Sequence, residues 1–151
     1  MKMTKRELQL FEIAKEVIEK NKDIGAKLTG SLMLAVMGLA KRREAADIDI
    51  ICDYLCEKEE GLPNVPKGFY IVSMDGGRSE VEAIQFINDN SIKVEFMTSE
   101  ESAIMINDIK CGGVEWLIEA KQRYAKNDKN DQSREKHELD LEYLFKNNKN
   151  L

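Results

Sequence analysis

Apolar residues recur at helical intervals at both ends of the chain and in short strand-like segments between them. Thr4 and Glu7 have the spacing of a capping box, and the apolar positions that follow predict a helix over 5–20. The segments around Val114 and Leu141 repeat this periodicity and predict two C-terminal helices. The chain is therefore predicted to begin and end with helices.

Turn residues divide the middle of the chain into short segments. Strands are predicted, in chain order, at 26–29, 47–52, 69–73, 81–87 and 91–97. The apolar series from Ser31 to about Gly38 does not alternate, and it predicts a buried helix after the first strand. Turns are predicted at 75–77 and 88–90, and polar loops at 57–67 and 127–132.

This order of elements predicts an α+β fold, with a small mixed β-sheet, helices packed on it and further helices at the C-terminus. The sheet must be mixed or antiparallel, because strands joined by a tight turn cannot all be parallel. The 151 residues are predicted to form one domain, 1–151, with a core of about 1–112 and a C-terminal helical part of about 113–151.

Charge and composition exclude several classes of protein. A net charge of −5 argues against a protein that coats nucleic acids, although a local basic pocket remains compatible with it. The chain has no run of roughly 18 apolar residues to span a membrane, and its first residues are charged, unlike a signal peptide. We therefore expect a cytoplasmic protein without membrane contact.

The cysteines do not indicate a metal site. Cys52, Cys56 and Cys111 lack the paired spacing of a zinc ribbon, and His137 is the single imidazole of the chain. Reduced, packed thiols are the better interpretation.

Two carboxylates, Asp47 and Asp49, stand one residue apart in a predicted strand. Strand side chains alternate between the two faces of a sheet, so both carboxylates lie on one face, with Ile48 and Ile50 on the other. Adjacent carboxylates are costly without a counter-ion, and oxygen ligands on a rigid element suit a hard cation such as Mg²⁺. The pair therefore predicts magnesium with a phosphate-bearing ligand.

Two nearby segments could bind that phosphate. Glycine allows a close approach to the backbone at Gly30, and Ser31 could bond a phosphate oxygen at the start of a helix, although a serine there is more often only a cap. The basic run 41–43 is equally compatible with a solvated loop and with a polyphosphate clamp.

A third carboxylate, Glu95, lies between two apolar residues in the predicted strand 91–97. If this strand lies beside 47–52, three carboxylates meet. Two could hold Mg²⁺ on a triphosphate, while the third helps to bind a second ion and accepts the proton of an attacking hydroxyl. Such a cluster would transfer a nucleotidyl group.

The combined pattern resembles the nucleotidyltransferase superfamily related to DNA polymerase β, over roughly 28–97. The matching segments are Gly30-Ser31, Arg43-Glu44, Asp47-Ile48-Asp49-Ile50 and Val94-Glu95-Phe96. The segment 43–49 is similar to small lincosamide-type antibiotic nucleotidyltransferases, and the wider pattern is similar to toxins of some abortive-infection systems.

The resemblance implies a nucleotidyltransferase fold and assigns roles to residues. It implies that Asp47 and Asp49 bind magnesium, that Glu95 is the third acidic residue, and that Gly30-Ser31 contacts the triphosphate. Alanines at 45 and 46 depart from the pattern, in which a serine, threonine or histidine is common before the first Asp. This departure leaves antibiotic specificity open.

The C-terminal helices carry a fainter similarity. Lys121, like Arg43, is a candidate cation for the triphosphate, and relatives often have a Lys-His-x-x-Asp-Leu pattern like the one at 136–141. Lys136 and Asp140 could equally form an exposed i,i+4 salt bridge, and a solitary His137 is more commonly structural than a base. The aromatic residues Trp116, Tyr124, Tyr143 and Phe145 fit the core better than base stacking.

The sequence thus predicts a magnesium-dependent nucleotidyltransferase that uses a nucleoside triphosphate, with ATP expected. The acceptor could be a small molecule, a protein side chain or an RNA end, and a homodimer could complete its pocket. An alternative is a non-catalytic nucleotide-binding or partner-binding domain of the same fold, such as a toxin–antitoxin component. A third interpretation is an ordinary α+β domain with surface aspartates.

Overall fold

A computed structural model describes residues 3–55, 62–76, 81–99 and 101–149. Its helices are α1 (Lys5–Lys20), α2 (Gly30–Val36), α3 (Val114–Asn127) and α4 (Asp131–Asn147). Its strands are β1 (Lys27–Thr29), β2 (Ile48–Cys52), β3 (Tyr70–Gly76), β4 (Val81–Ile87), β5 (Lys93–Thr98), β6 (Ile104–Ile106) and β7 (Ile109–Cys111). A short 3-10 turn, Lys22–Ile24, follows α1.

The N-terminal helix α1 has the bounds that the sequence predicted. Its capping box is formed, because the Glu7 amide donates to Thr4 Oγ1 at 3.1 Å and the Thr4 amide donates to Glu7 Oε1 at 3.0 Å. Leu10, Ala14 and Val17 are fully buried along one face. The helix is thus anchored by local capping and by an apolar stripe.

The strands form one mixed sheet in the order β3-β4-β5-β2-β1-β7-β6. β2 pairs in parallel with β5, and β1 pairs in parallel with β7. The remaining neighbours are antiparallel. This arrangement confirms the predicted α+β class with a mixed sheet and C-terminal helices.

The central strands divide apolar from polar side chains. Ile48, Ile50, Val94 and Phe96 are fully buried and belong to a core that also contains residues of α1 and α2. Because strand side chains alternate, the residues between them point to the opposite face. That second face carries the polar side chains described below.

The sequence missed two strands and misplaced one turn. β6 and β7 have three residues each, too few to show alternation, although the turn between them has the positive φ angles that Asn107 and Asp108 tolerate. The turn predicted at 75–77 was wrong for its first two residues, because β3 continues to Gly76. Gly77 lies outside the described residues.

Two helix starts also differ from the expectations. α4 begins at Asp131, capped by the Asn130 side chain, so the predicted loop 127–132 shortens to 128–130. α2 begins at Gly30 with Thr29 in the capping position, so Ser31 is not its cap. Part of the predicted loop 57–67 lies outside the described residues, and 62–67 carries no helix or strand.

Burial explains the state of two cysteines. It raises the pKa of Cys52 to about 12 and that of Cys111 to about 11, so both thiols stay protonated in the core. Cys56 lies outside the described residues. No helix in the described part of the chain is long and apolar enough to cross a membrane.

Candidate active site

A cleft of about 610 Å³ lies between the polar face of the sheet and the helices α3 and α4. Every residue that the sequence nominated for the site lines it: Gly30, Ser31, Arg43, Asp47, Asp49, Glu95 and Lys121. These residues come from the two strands β2 and β5, the loop before β2, and the helices α2 and α3. The structure therefore gathers into one cleft residues that the sequence only suggested were related.

The floor of the cleft is a row of four polar side chains on adjacent strands. Asp49 on β2 is the ladder partner of Glu95 on β5 and of Thr29 on β1. Glu95 is in turn the partner of Gln85 on β4. Ladder partners project to the same face, so Thr29, Asp49, Glu95 and Gln85 stand side by side.

The electrostatics of the row centre on Asp49. Burial raises its pKa from 3.8 to about 7, and the negative charges of Glu95 and Asp47 add to the increase. The positive charges of Lys121 and Lys136 oppose this effect without cancelling it. The pKa of Asp49 is therefore raised chiefly by its burial and further by its two carboxylate neighbours.

Gly30 brings the start of α2 directly against Asp49. Its φ of +73° is favourable only for glycine, and a Cβ at this position would lie 2.3 Å from Asp49 Oδ2. The sequence predicted that a phosphate could approach Gly30 closely, whereas the group that lies against Gly30 in this structure is the Asp49 carboxylate.

Glu95 has a neighbour that the sequence did not reveal. The Gln85 side-chain amide donates a hydrogen bond to Glu95 Oε2. Within the described residues, no group of three or more His, Cys, Asp or Glu side chains is arranged to hold a metal ion as it stands. The three carboxylates therefore share a face and a cleft without forming a closed ligand set.

Asp140 on α4 binds three cationic side chains. It accepts hydrogen bonds from Arg42 Nε at 2.8 Å, Arg43 Nη2 at 2.9 Å and Lys121 Nζ at 3.3 Å. Burial alone would raise the pKa of Asp140, but these three cations outweigh it and hold the pKa below its ordinary value. One carboxylate thus ties α3 and α4 to the loop before β2.

This arrangement corrects two sequence-based interpretations. Asp140 pairs with these three cations, and no ion pair with Lys136 is formed among the described residues, so the proposed i,i+4 bridge is wrong. The basic run 41–43 is not a free loop either, because each of its side chains contacts a carboxylate.

Glu7 holds the other end of that run. Its fully buried carboxylate accepts hydrogen bonds from Lys41 Nζ at 2.6 Å and from the Ala45 amide at 2.9 Å. The capping box was visible in the sequence, but this second use of Glu7 was not. Glu7 thereby fixes the segment that leads into Asp47.

Aromatic residues line the opposite wall. Trp116 and Tyr124 face the cleft, and the Tyr124 ring lies 5.2 Å from the His137 ring at 40°. Tyr124 and Phe145 are exposed, at 45% and 44%, so the core interpretation was wrong for both. Burial and the charges of Lys121 and Lys136 lower the pKa of His137, which keeps it neutral near pH 7.

Comparisons with known proteins show similarity at the level of the fold. No family model matches the chain, and no curated protein matches it. The JHP933 protein of Helicobacter pylori superposes with a TM-score of 0.57 at 14% identity, covering 98% of this chain and 69% of that one. A "putative nucleotidyltransferase" from H. pylori gives the same score and identity, covering 98% and 72%.

A third solved structure agrees with these two. It is an antigenic nucleotidyltransferase-like protein from Paracoccidioides brasiliensis, with a TM-score of 0.54 and 11% identity, covering 96% of this chain and 78% of that one. Identities this low show the fold alone and distinguish neither the lincosamide-type nor the abortive-infection subtype. The chain has a nucleotidyltransferase-like fold.

Proposed function

We propose that the protein is a magnesium-dependent nucleotidyltransferase, which moves a nucleoside monophosphate from a nucleoside triphosphate to a hydroxyl of an acceptor. The observation that carries the proposal is the register that makes Asp49 and Glu95 ladder partners, with Gly30 against the same carboxylate. The nucleotidyltransferase-like fold supports it independently.

The residues present fit a magnesium ion. Asp47 and Asp49 supply oxygen donors just before and within β2. The pKa of Asp49 is raised first by burial and then by the charges of Glu95 and Asp47, and a cation would offset that negative charge. Asp47 and Asp49 would hold the ion, and Glu95 would join them once it leaves Gln85. When bound, Mg²⁺ supplies charge neutralisation at the phosphates.

The triphosphate would lie between the sheet and the helices. Gly30, Ser31, Arg43 and Lys121 all line the cleft and could contact the triphosphate there. Both cations now bind Asp140. Phosphate oxygens would compete with that carboxylate for the same donors.

The chemistry assigned to the chain is a single displacement. The acceptor oxygen forms a bond to the α-phosphorus, the bond between the α-phosphorus and the bridging oxygen breaks, and pyrophosphate leaves with that electron pair. Glu95 accepts the proton of the attacking hydroxyl. The candidate acceptors are a small molecule, a protein side chain and an RNA end, and ATP is the expected donor.

The test is a transfer assay with nucleoside triphosphates labelled at the α-phosphate, offered with Mg²⁺ to pools of small molecules, proteins and RNA. We expect labelled product from the native chain and none from Asp47→Asn. Asp89→Asn, in the exposed turn between β4 and β5, is the matched control and should retain transfer. Equal transfer by Asp47→Asn and the native chain would overturn the proposal.

A second candidate function is a non-catalytic nucleotide-binding or partner-binding domain. The bond between Gln85 and Glu95 favours it, because it occupies the carboxylate that transfer requires. Calorimetry with ATP and Mg²⁺ separates the two functions when combined with the transfer assay. Binding of ATP without labelled product in any pool would support the second candidate.

A further inference from the structure

Thr29 carries a buried hydroxyl without a partner. The residue is 1% exposed, it lines the cleft, and its Oγ1 makes no hydrogen bond within the described part of the chain. Among the described residues that are buried as a whole, the other polar or charged ones, Glu7, Asn21 and Lys27, all bond through their side chains. A buried hydroxyl left unpaired destabilises a fold, so its presence needs an explanation.

Helix capping does not supply that explanation. Thr29 occupies the capping position of α2, where a threonine oxygen usually accepts from the second or third amide of the helix. Here the side chain makes no capping bond. The hydroxyl is therefore unused by the strand, by the helix and by neighbouring side chains.

The position of the hydroxyl indicates what it could bind. Thr29 is the antiparallel ladder partner of Asp49, so both side chains lie on the cleft face of the sheet. The next residue, Gly30, is the one whose backbone contacts the Asp49 carboxylate. The unpaired oxygen thus belongs to the residue that pairs directly with Asp49, one of the two proposed metal ligands.

We propose that Thr29 is a positioning residue whose Oγ1 accepts a hydrogen bond from a water molecule on the divalent cation held at Asp47 and Asp49. The inference rests on the proposed function. Mg²⁺ loses its waters reluctantly and keeps several of them when carboxylates bind it. Those waters are strong hydrogen-bond donors that need acceptors. The buried Thr29 hydroxyl, held on a strand, could be one of these acceptors.

The experiment compares the native chain with Thr29→Val and Thr29→Ser. Valine keeps the branched shape and removes the hydroxyl, whereas serine keeps the hydroxyl. Mn²⁺, as a spectroscopic substitute for Mg²⁺, is titrated in the presence of a non-hydrolysable ATP analogue, with binding followed by electron paramagnetic resonance. Thermal unfolding is recorded in parallel with EDTA and with Mn²⁺.

We expect Thr29→Val to weaken Mn²⁺ binding without lowering the stability of the metal-free protein. Thr29→Val binds Mn²⁺ roughly tenfold more weakly, as is usual when a hydrogen-bond partner of a metal ligand is lost. In EDTA it unfolds at the same temperature as the native chain or higher, because an unpaired hydroxyl has been removed. Thr29→Ser binds Mn²⁺ within about threefold of the native affinity, which is a smaller loss than the one expected for Thr29→Val. Thr98→Val, on β5 and away from the cleft, leaves Mn²⁺ affinity unchanged.

Unchanged Mn²⁺ affinity in Thr29→Val would overturn the inference while leaving the transferase proposal intact, provided that Asp47→Asn still abolishes transfer. A lower unfolding temperature of Thr29→Val in EDTA, with Thr29→Ser restoring the native value, would also overturn it, since the hydroxyl would then serve the fold. If the native chain binds no Mn²⁺, with or without the ATP analogue, the inference and the proposed function fail together.

Discussion

Asp49 and Glu95 are ladder partners on parallel strands, and the chain passes through β3 and β4 between them. Their side chains lie on one face of the sheet, beside each other and facing the same cleft. Two like charges at neighbouring positions weaken a fold unless a ligand neutralises them. The ion-free protein should therefore gain stability when one of the charges is removed.

The first prediction concerns Asp49→Asn in the presence of a chelator. Because the folded-state pKa of Asp49 is raised from 3.8 to about 7, the folded protein binds this proton more tightly than the unfolded chain. The stability contributed by the protonated group is present below about pH 4 and is lost as the pH rises to about 7. At pH 8 we expect Asp49→Asn to be more stable than the native chain by up to about 4 kcal/mol.

Urea unfolding at several pH values measures this difference, which should shrink towards pH 4. Asp89→Asn is the control, because its side chain is in an exposed turn and should change stability by less than about 0.5 kcal/mol. A lower stability of Asp49→Asn at pH 8 would contradict the electrostatic account of the row.

The second prediction compares two glycines with positive φ. Gly30→Ala and Gly68→Ala both place an alanine in a left-handed conformation, at φ +73° and +98°. A Cβ at Gly68 meets nothing within 4 Å, whereas one at Gly30 lies 2.3 Å from Asp49 Oδ2. We expect about 1 kcal/mol of destabilisation for Gly68→Ala and at least about 2 kcal/mol for Gly30→Ala.

Urea unfolding gives the stabilities, and Mn²⁺ titration gives a second readout. Gly30→Ala should also lose Mn²⁺ affinity because the Asp49 carboxylate must move, while Gly68→Ala should keep it. Equal effects of the two substitutions on stability and on Mn²⁺ would mean that the contact between Gly30 and Asp49 is unimportant.

Local patterns were sufficient to predict much of this fold. The capping box and apolar stripe of α1 are contained within a single segment, and so is the alternation that places Asp49 opposite Ile48 and Ile50 on β2, although Asp47 precedes that strand. The same kind of local pattern did not predict β6 and β7, because a strand of three residues is too short to show the alternation of apolar and polar side chains.

Partners distant in sequence were not predictable in the same way. The roles of Thr29 and Gln85 depend on which strands lie beside them, and a polar residue in a strand does not reveal its ladder partner. Asp140 binds Arg43 across a separation of 97 residues, so a local pattern could suggest only Lys136 as its partner. The site required long-range geometry that the motifs did not contain.

The third prediction tests the anchor of the loop before β2. Glu7→Gln removes a buried charge and leaves the Lys41 ammonium, which is mostly buried, without its partner. We expect a loss of about 3 kcal/mol at pH 7, measured by urea unfolding. Glu12→Gln, which breaks an exposed pair with Lys15, should cost less than about 0.5 kcal/mol. Similar costs for the two variants would show that Glu7 does not anchor the loop.

The fourth prediction concerns Asp140→Asn, which removes the carboxylate shared by Arg42, Arg43 and Lys121. The expected loss at pH 7 is about 2–3 kcal/mol, below that of a fully buried pair because the arginines are partly exposed. The folded-state pKa of Asp140 is lowered, so its contribution is present above about pH 4 and lost as the pH falls further.

The stability difference between the native chain and Asp140→Asn should therefore narrow on acidification below pH 4. Its sign is opposite to that of Asp49→Asn, because Asp140→Asn is the less stable chain at pH 7, whereas Asp49→Asn is expected to be the more stable chain at pH 8. Asp131→Asn is the matched control, because it removes an aspartate from the same helix whose pair with Arg134 is exposed to solvent. It should cost less than about 0.5 kcal/mol at any of these pH values. If Asp140→Asn cost no more than this control, the three cations would be held in place by something other than Asp140.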